Sequence, residues 1–148
     1  MNHYDTLNAV LVNLFNRIMD IEQKVLITDE FSDISNNDMH IIEVIGVEEP
    51  KNMSTIAKAL SVTVGTLTIA MNGLVKKGYV ERKRSEVDKR VVFISLTDRG
   101  IRAFEHHKAF HKDMINDVMT RLSGEELDIL VKALSGLVDY FDEKDKAD

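Results

Sequence analysis

The feature that most constrains this chain is a change of period at Gly78. Before it, in "GTLTIAMNGLVKKG", Leu67, Ala70, Met71 and Leu74 recur at helical spacing and predict a buried stripe. After it, "YVERKR" and "RVVFISL" read as two strands flanking the polar turn "SEVDK". Gly78 suits a left-handed helix end, and Lys76 and Lys77 suit the negative end of the helix dipole just before it. Upstream lies a shorter helix, "MSTIAKAL", with Ser54 as its expected cap and Ile56, Ala57 and Leu60 facing inward. A tight turn at "SVTV" joins the two helices. Short helix, tight turn and second helix make a helix-turn-helix, here followed by a β-hairpin.

Long helices flank this module. Residues 4–25 carry Leu7, Val10, Leu11, Leu14, Phe15, Ile18, Ile21 and Val25 at helical spacing, which predicts one helix about 30 Å long. A second helix is expected from Asn36 or Asn37, as cap, to about Ile45. "LTDRG" opens another, capped by Thr97, to about Arg121. Ser123 and Glu126 have capping-box spacing and start the last helix, whose stripe is Leu127, Leu130, Leu134, Leu137, Val138 and Phe141. These outer stripes exceed what a small monomer buries, so the terminal helices are expected to pack against a second copy. Leu7, Leu11, Leu14, Leu130, Leu134, Leu137 and Phe141 are the expected contacts. At 148 residues the chain reads as one domain. Residues 1–33 and 101–148 are assigned to dimerisation, and 34–100 to the helix-turn-helix and hairpin.

Charge is distributed unevenly. The chain's net charge is −6, yet residues 74–102 carry nine Lys and Arg against four carboxylates. Residues 1–50 carry Arg17 and Lys24 against ten carboxylates. A basic segment in an acidic protein points to an anionic partner at one face. There is no Cys, which removes disulfide and thiolate chemistry. No basic leader precedes an apolar core, and no apolar run approaches 18 residues. A signal peptide and a membrane span are therefore not expected, and a cytoplasmic setting is.

Double-stranded DNA is the expected partner. In a helix-turn-helix the second helix lies in the major groove. Opposite its buried stripe are Thr63, Val64, Gly65, Thr68, Ile69 and Asn72, with Thr66 at the edge, and none is basic. Val64, Ile69 and the threonine methyls suit thymine methyls, and Asn72 suits adenine, so an A·T-rich site is expected. The hairpin supplies the cations: Arg82, Lys83, Arg84 and Lys89 for phosphates, and Arg90 for a narrow minor groove. Asp88, two residues before Arg90, is expected to pair with an arginine and fix its direction.

The run from Ile56 to Gly100 resembles the DNA-binding core of the MarR family of bacterial transcription regulators. "LVKKGYVER" at Leu74–Arg82, "DKR" at Asp88–Arg90 and "LTDRG" at Leu96–Gly100 carry the resemblance, and the order of the outer helices extends it. It implies a mainly α (α+β) fold: a winged helix-turn-helix with long terminal dimerisation helices and one β-hairpin wing. It also implies a homodimer on a palindromic operator, with the Asp-x-Arg of the wing at Asp88 and Arg90. "FNRIMDIEQ", "DMHIIEVIG" and "HKAFHKDM" narrow the resemblance to the FabT-type repressors. That implies repression of fatty-acid synthesis genes, with long-chain acyl-acyl carrier protein as corepressor. No other cofactor is expected.

His40, His107 and His111 leave two readings open. They line a pocket or the core, with Phe104 beside them, or they bind zinc, since His107 and His111 are four residues apart on one helix. Some MarR relatives are zinc sensors with histidines in corresponding helices, so a zinc-responsive repressor is the alternative, as is a regulator answering another small ligand. No nucleophile elbow, phosphate-binding glycine loop or HExxH is present, and an enzyme is not expected.

Overall fold

The computed structural model describes residues 2–26, 28 and 30–147. Its helices are α1 (His3–Ala9), α2 (Phe15–Leu26), α3 (Asn36–Ile45), α4 (Met53–Ala59), α5 (Val64–Lys76), α6 (Asp98–Arg121) and α7 (Gly124–Ala147). Its strands are β1 (Lys51–Asn52), β2 (Val80–Arg84) and β3 (Val92–Leu96), in the antiparallel order β1-β3-β2. The chain forms two compact units, one ending at Phe110 and one beginning at His111. Among the described residues no single helix is long and apolar enough to cross a membrane.

The core lies in the first unit. Ile42, Ile45, Ile56, Leu67, Met71, Leu74, Tyr79 and Ile94 are all fully buried, from α3, α4, α5, β2's leading turn and β3. Each such side chain contributes about 1.5–3 kcal/mol by leaving water. The stripe expected on α5 is present at Leu67, Met71 and Leu74, with Ala70 partly buried against the core. The axes of α4 and α5 turn by 106° across Leu60–Thr63, within the helix-turn-helix range. Ser61 takes φ 55° in that turn.

Three local details differ from the sequence expectations. Helix α3 is capped by Ser35, not by Asn36 or Asn37. The Ser35 hydroxyl accepts from Asp38 N and the Asp38 carboxylate accepts from Ser35 N, both at 3.1 Å. Helix α4 is capped by Asn52, whose Oδ1 accepts from Thr55 N at 2.8 Å, so Ser54 lies inside the helix. Asn52 ends β1, and its extended backbone already has the dihedrals a cap needs. Strand β1 was not expected; two residues are too few to show a period, and it adds a third strand to the hairpin through Lys51↔Ile94 and Asn52↔Phe93.

The first helix is interrupted. Between α1 and α2, Val10–Leu14 is a π-helical turn, which shifts the phase of the apolar stripe. Neither α1 nor this turn buries a residue: Leu7 and Leu14 are exposed, and Leu11 is half-buried. In the second unit, the expected capping box of α7 is present, with Ser123 N donating to Glu126 Oε1 and Glu126 N to Ser123 Oγ. Helix α7 buries nothing: Leu134, Leu137 and Phe141 are exposed, and Leu130 is half-buried.

Candidate nucleic-acid interface

The junction from α5 to β2 fixes where the wing starts. Gly78 takes φ 85°, which ends α5 and turns the chain into the sheet. Thr97 Oγ1 donates to Gly78 O at 2.6 Å and accepts from Gly100 N at 3.2 Å, so one hydroxyl caps α6 and holds that turn. Gly100 passes so close that an added Cβ would sit 2.1 Å from Tyr79 O. Arg99 donates to Lys77 O at 2.7 Å, to Glu30 O at 3.0 Å and to Asp33 Oδ1 at 3.3 Å, and its guanidinium lies 4.3 Å from the Tyr79 ring centre. The Tyr79 hydroxyl donates to Asp33 Oδ1 at 2.6 Å. That bond holds the Asp33 carboxyl below its usual range, while burial and Asp33 push the Tyr79 hydroxyl well above its own.

The outer face of α5 is short of free donors. Thr63 caps the helix, accepting from Thr66 N at 3.1 Å and donating to Thr66 Oγ1 at 2.9 Å. Thr68 Oγ1 donates to Val64 O at 2.7 Å, so its hydroxyl can only accept from outside and its methyl completes the face. Val64 is 44% exposed and Ile69 77%, and Gly65 beside them is exposed too. The face is therefore largely methyl, with Asn72 at its far end.

On the wing, Asp88 and Arg90 form a bidentate pair. Asp88 Oδ1 accepts from Arg90 N at 3.0 Å and Nε at 3.1 Å, and Oδ2 accepts from Nη2 at 3.1 Å. These bonds hold the Asp88 carboxyl below its ordinary range. The pair is also built into the turn. Ser85 Oγ accepts from Val87 N and Asp88 N, and Ser85 N donates to Val91 O across the hairpin. The Arg90 side chain is 91% exposed, so it is aimed without being occluded. Lys83, Arg84 and Lys89 are exposed too. Val87, at 98% exposure, stands at the tip; its single apolar residue among charges gave no pattern to find.

Arg82 differs from the other cations. In register it pairs with buried Ile94, which puts it on the inner face of the sheet, toward α5. Its Nη2 donates to Asn72 Oδ1. Sequence reasoning assigned these residues separate contacts with DNA; the contact between them depends on strand register, which spacing alone does not fix.

His40 and His107 have partners of their own within the first unit. His107 is buried, its Nε2 3.1 Å from Glu22 Oε1 and 3.5 Å from Glu43 Oε2. His40 Nε2 lies 3.9 Å from the same Glu22 oxygen, and the two imidazoles meet edge to face at 6.1 Å. Buried Glu22 was not foreseen, because it stands on the apolar side of α2 where a carboxylate is costly without partners. Phe104 packs against the core, and His111 begins the second unit. His106, at 3.0 Å from Val25 O, ties α6 to α2.

This arrangement, a helix-turn-helix with an exposed methyl-rich face and a cationic wing beside it, matches known proteins. The MarR family model matches residues 34–92. The transcriptional repressor YetL of Bacillus subtilis is 30% identical over 140 residues, 90% of this chain and 84% of that protein. The transcriptional regulator SarZ of Staphylococcus haemolyticus is 32% identical over 106 residues, 72% of this chain and 71% of that protein. Among solved structures, Streptococcus pneumoniae FabT in complex with DNA is 39% identical, with a TM-score of 0.90 over 95% of this chain and 98% of that one. The chain belongs to the MarR family of DNA-binding transcription regulators.

Proposed function

We propose that this protein represses fatty-acid synthesis genes as a homodimer on an A·T-rich palindromic operator, with long-chain acyl-acyl carrier protein raising its DNA affinity. The observation that carries this reading is the likeness to FabT over nearly the whole of both chains, FabT being captured on DNA. Each subunit places α5 in the major groove, with half-sites about 34–36 Å apart. Val64, Thr66, Thr68 and Ile69 read thymine methyls there, with Gly65 on the same DNA-facing surface and Asn72 at its far end, while Thr63 caps the helix. Arg84 and Lys89 hold phosphates, and Arg90, aimed by Asp88, enters the adjacent minor groove. A second copy covers the apolar residues left open on the terminal helices: Leu7 and Leu14 in the first unit, Leu134, Leu137 and Phe141 in the second.

A second reading has its own observation. Buried Glu22 sits beside His107 and His40, whose two Nε2 atoms lie 3.1 and 3.9 Å from one of its carboxylate oxygens. Carboxylate and imidazole are a zinc donor set. One gel-shift series separates the two: an A·T-rich palindrome from upstream of lipid-synthesis genes, with protein alone, with acyl-acyl carrier protein and with zinc. Tighter binding with the acyl carrier alone supports the first reading. Tighter binding with zinc alone replaces it with the second.

A further inference from the structure

We propose that Arg82 is a specificity-positioning residue: it holds the Asn72 carboxamide by its oxygen and so makes Asn72 a hydrogen-bond donor toward DNA. The inference rests on α5 being the helix that enters the major groove. Asn72 lies three and four residues beyond Ile69 and Thr68, hence on their face of α5. Its carboxamide has two unlike ends, an oxygen that accepts and an NH2 that donates. The Arg82 guanidinium approaches from the inner face of β2 and takes the oxygen. The NH2 is the end left for DNA.

That orientation changes what Asn72 reads. The bidentate contact of asparagine with adenine uses both ends, the oxygen accepting from N6 and the NH2 donating to N7. A carboxamide turned by Arg82 offers the NH2 outward, and that end suits acceptor edges: thymine O4, guanine O6 or a purine N7. The neighbouring hydroxyls reinforce the point, because the Thr63 and Thr68 protons are spent within α5. Asn72 is then a main outward donor of the reading face, and Arg82 controls its direction without touching a base.

The test is a binding profile of the full-length protein on operator duplexes in which each base pair is replaced in turn by the other three. Five proteins are compared: wild type, Arg82→Ala, Asn72→Ala, Asn72→Asp, and Arg82→Ala with Asn72→Ala. Arg82→Ala is expected to shift the preference at one position per half-site toward adenine by about tenfold. The same replacement on the Asn72→Ala background is expected to shift nothing at that position. Asn72→Asp keeps an oxygen for Arg82 but turns the outward end into an acceptor, so preference moves to the amino-bearing edges of cytosine and adenine. A uniform loss on all sequences by Arg82→Ala, with the salt slope falling by about one and the profile unchanged, would make Arg82 a phosphate anchor and overturn the proposal. Failure of the wild type to bind any duplex would remove the docking itself.

Discussion

Asp88 and Arg90 show how two exposed residues acquire a direction. An arginine 91% exposed would sample many rotamers, but the carboxylate two residues away receives its Nε, Nη2 and backbone N–H together. The Asp88 carboxyl titrates below the ordinary aspartate range, because Arg90 stabilises its ionised form. A depressed folded value means the pairing is complete above the ordinary aspartate pKa and is lost only as pH falls through the lower one. Asp88 therefore leaves wing geometry unchanged between about pH 5 and 8, which a carboxyl NMR titration of the wild type checks. Asp88→Asn, at constant pH, is expected to lower operator affinity about tenfold while leaving the salt slope nearly intact, since no cation is lost. The Asp-x-Arg spacing was legible because the two groups are sequence neighbours. The Arg82 contact to Asn72 was not, since it needs the register of β2 against β3.

At the scale of elements, the junction between α5, β2 and α6 is held by backbone proximity as much as by side chains. Gly100→Ala would drive a Cβ into Tyr79 O, an atom of a chain segment that cannot swing aside. A loss of about 3 kcal/mol is expected in chemical denaturation, with an unchanged spectrum of the folded remainder. Arg99 joins three segments, since it reaches Lys77 O, Glu30 O and Asp33 and covers the Tyr79 ring. Arg99→Ala is expected to cost about 2 kcal/mol by the same measurement, and Arg99→Lys to recover only part of it because a lysine lacks the fork. The helix-turn-helix and hairpin were legible because their stripes and turn residues are strong and local. The caps at Ser35 and Asn52 were missed by one or two residues, where several polar side chains compete for one helix start. Strand β1 and the π-helical turn at Val10–Leu14 left no periodic trace, being set by packing and by a single extra residue.

For the whole molecule, charge and apolar exposure point the same way. The acidic remainder of the chain disfavours other faces for DNA, which supports the proposed docking through α5 and the wing. Leucines exposed on the terminal helices call for a second copy, and Leu137→Asp is expected to give a monomer by analytical ultracentrifugation at micromolar concentration and to lose operator binding. The stripe on α5 was legible residue by residue, whereas the buried Glu22–His107 contact was not, because burial of a carboxylate is decided by partners brought from other helices. The most direct measurement is operator affinity of wild type and Arg90→Ala across a salt series, read by fluorescence anisotropy on an A·T-rich palindrome. Docking through α5 and the wing predicts at least tenfold weaker binding for Arg90→Ala and a salt slope lower by about one for each wing engaged. Equal affinity and an equal slope in the two proteins would contradict it.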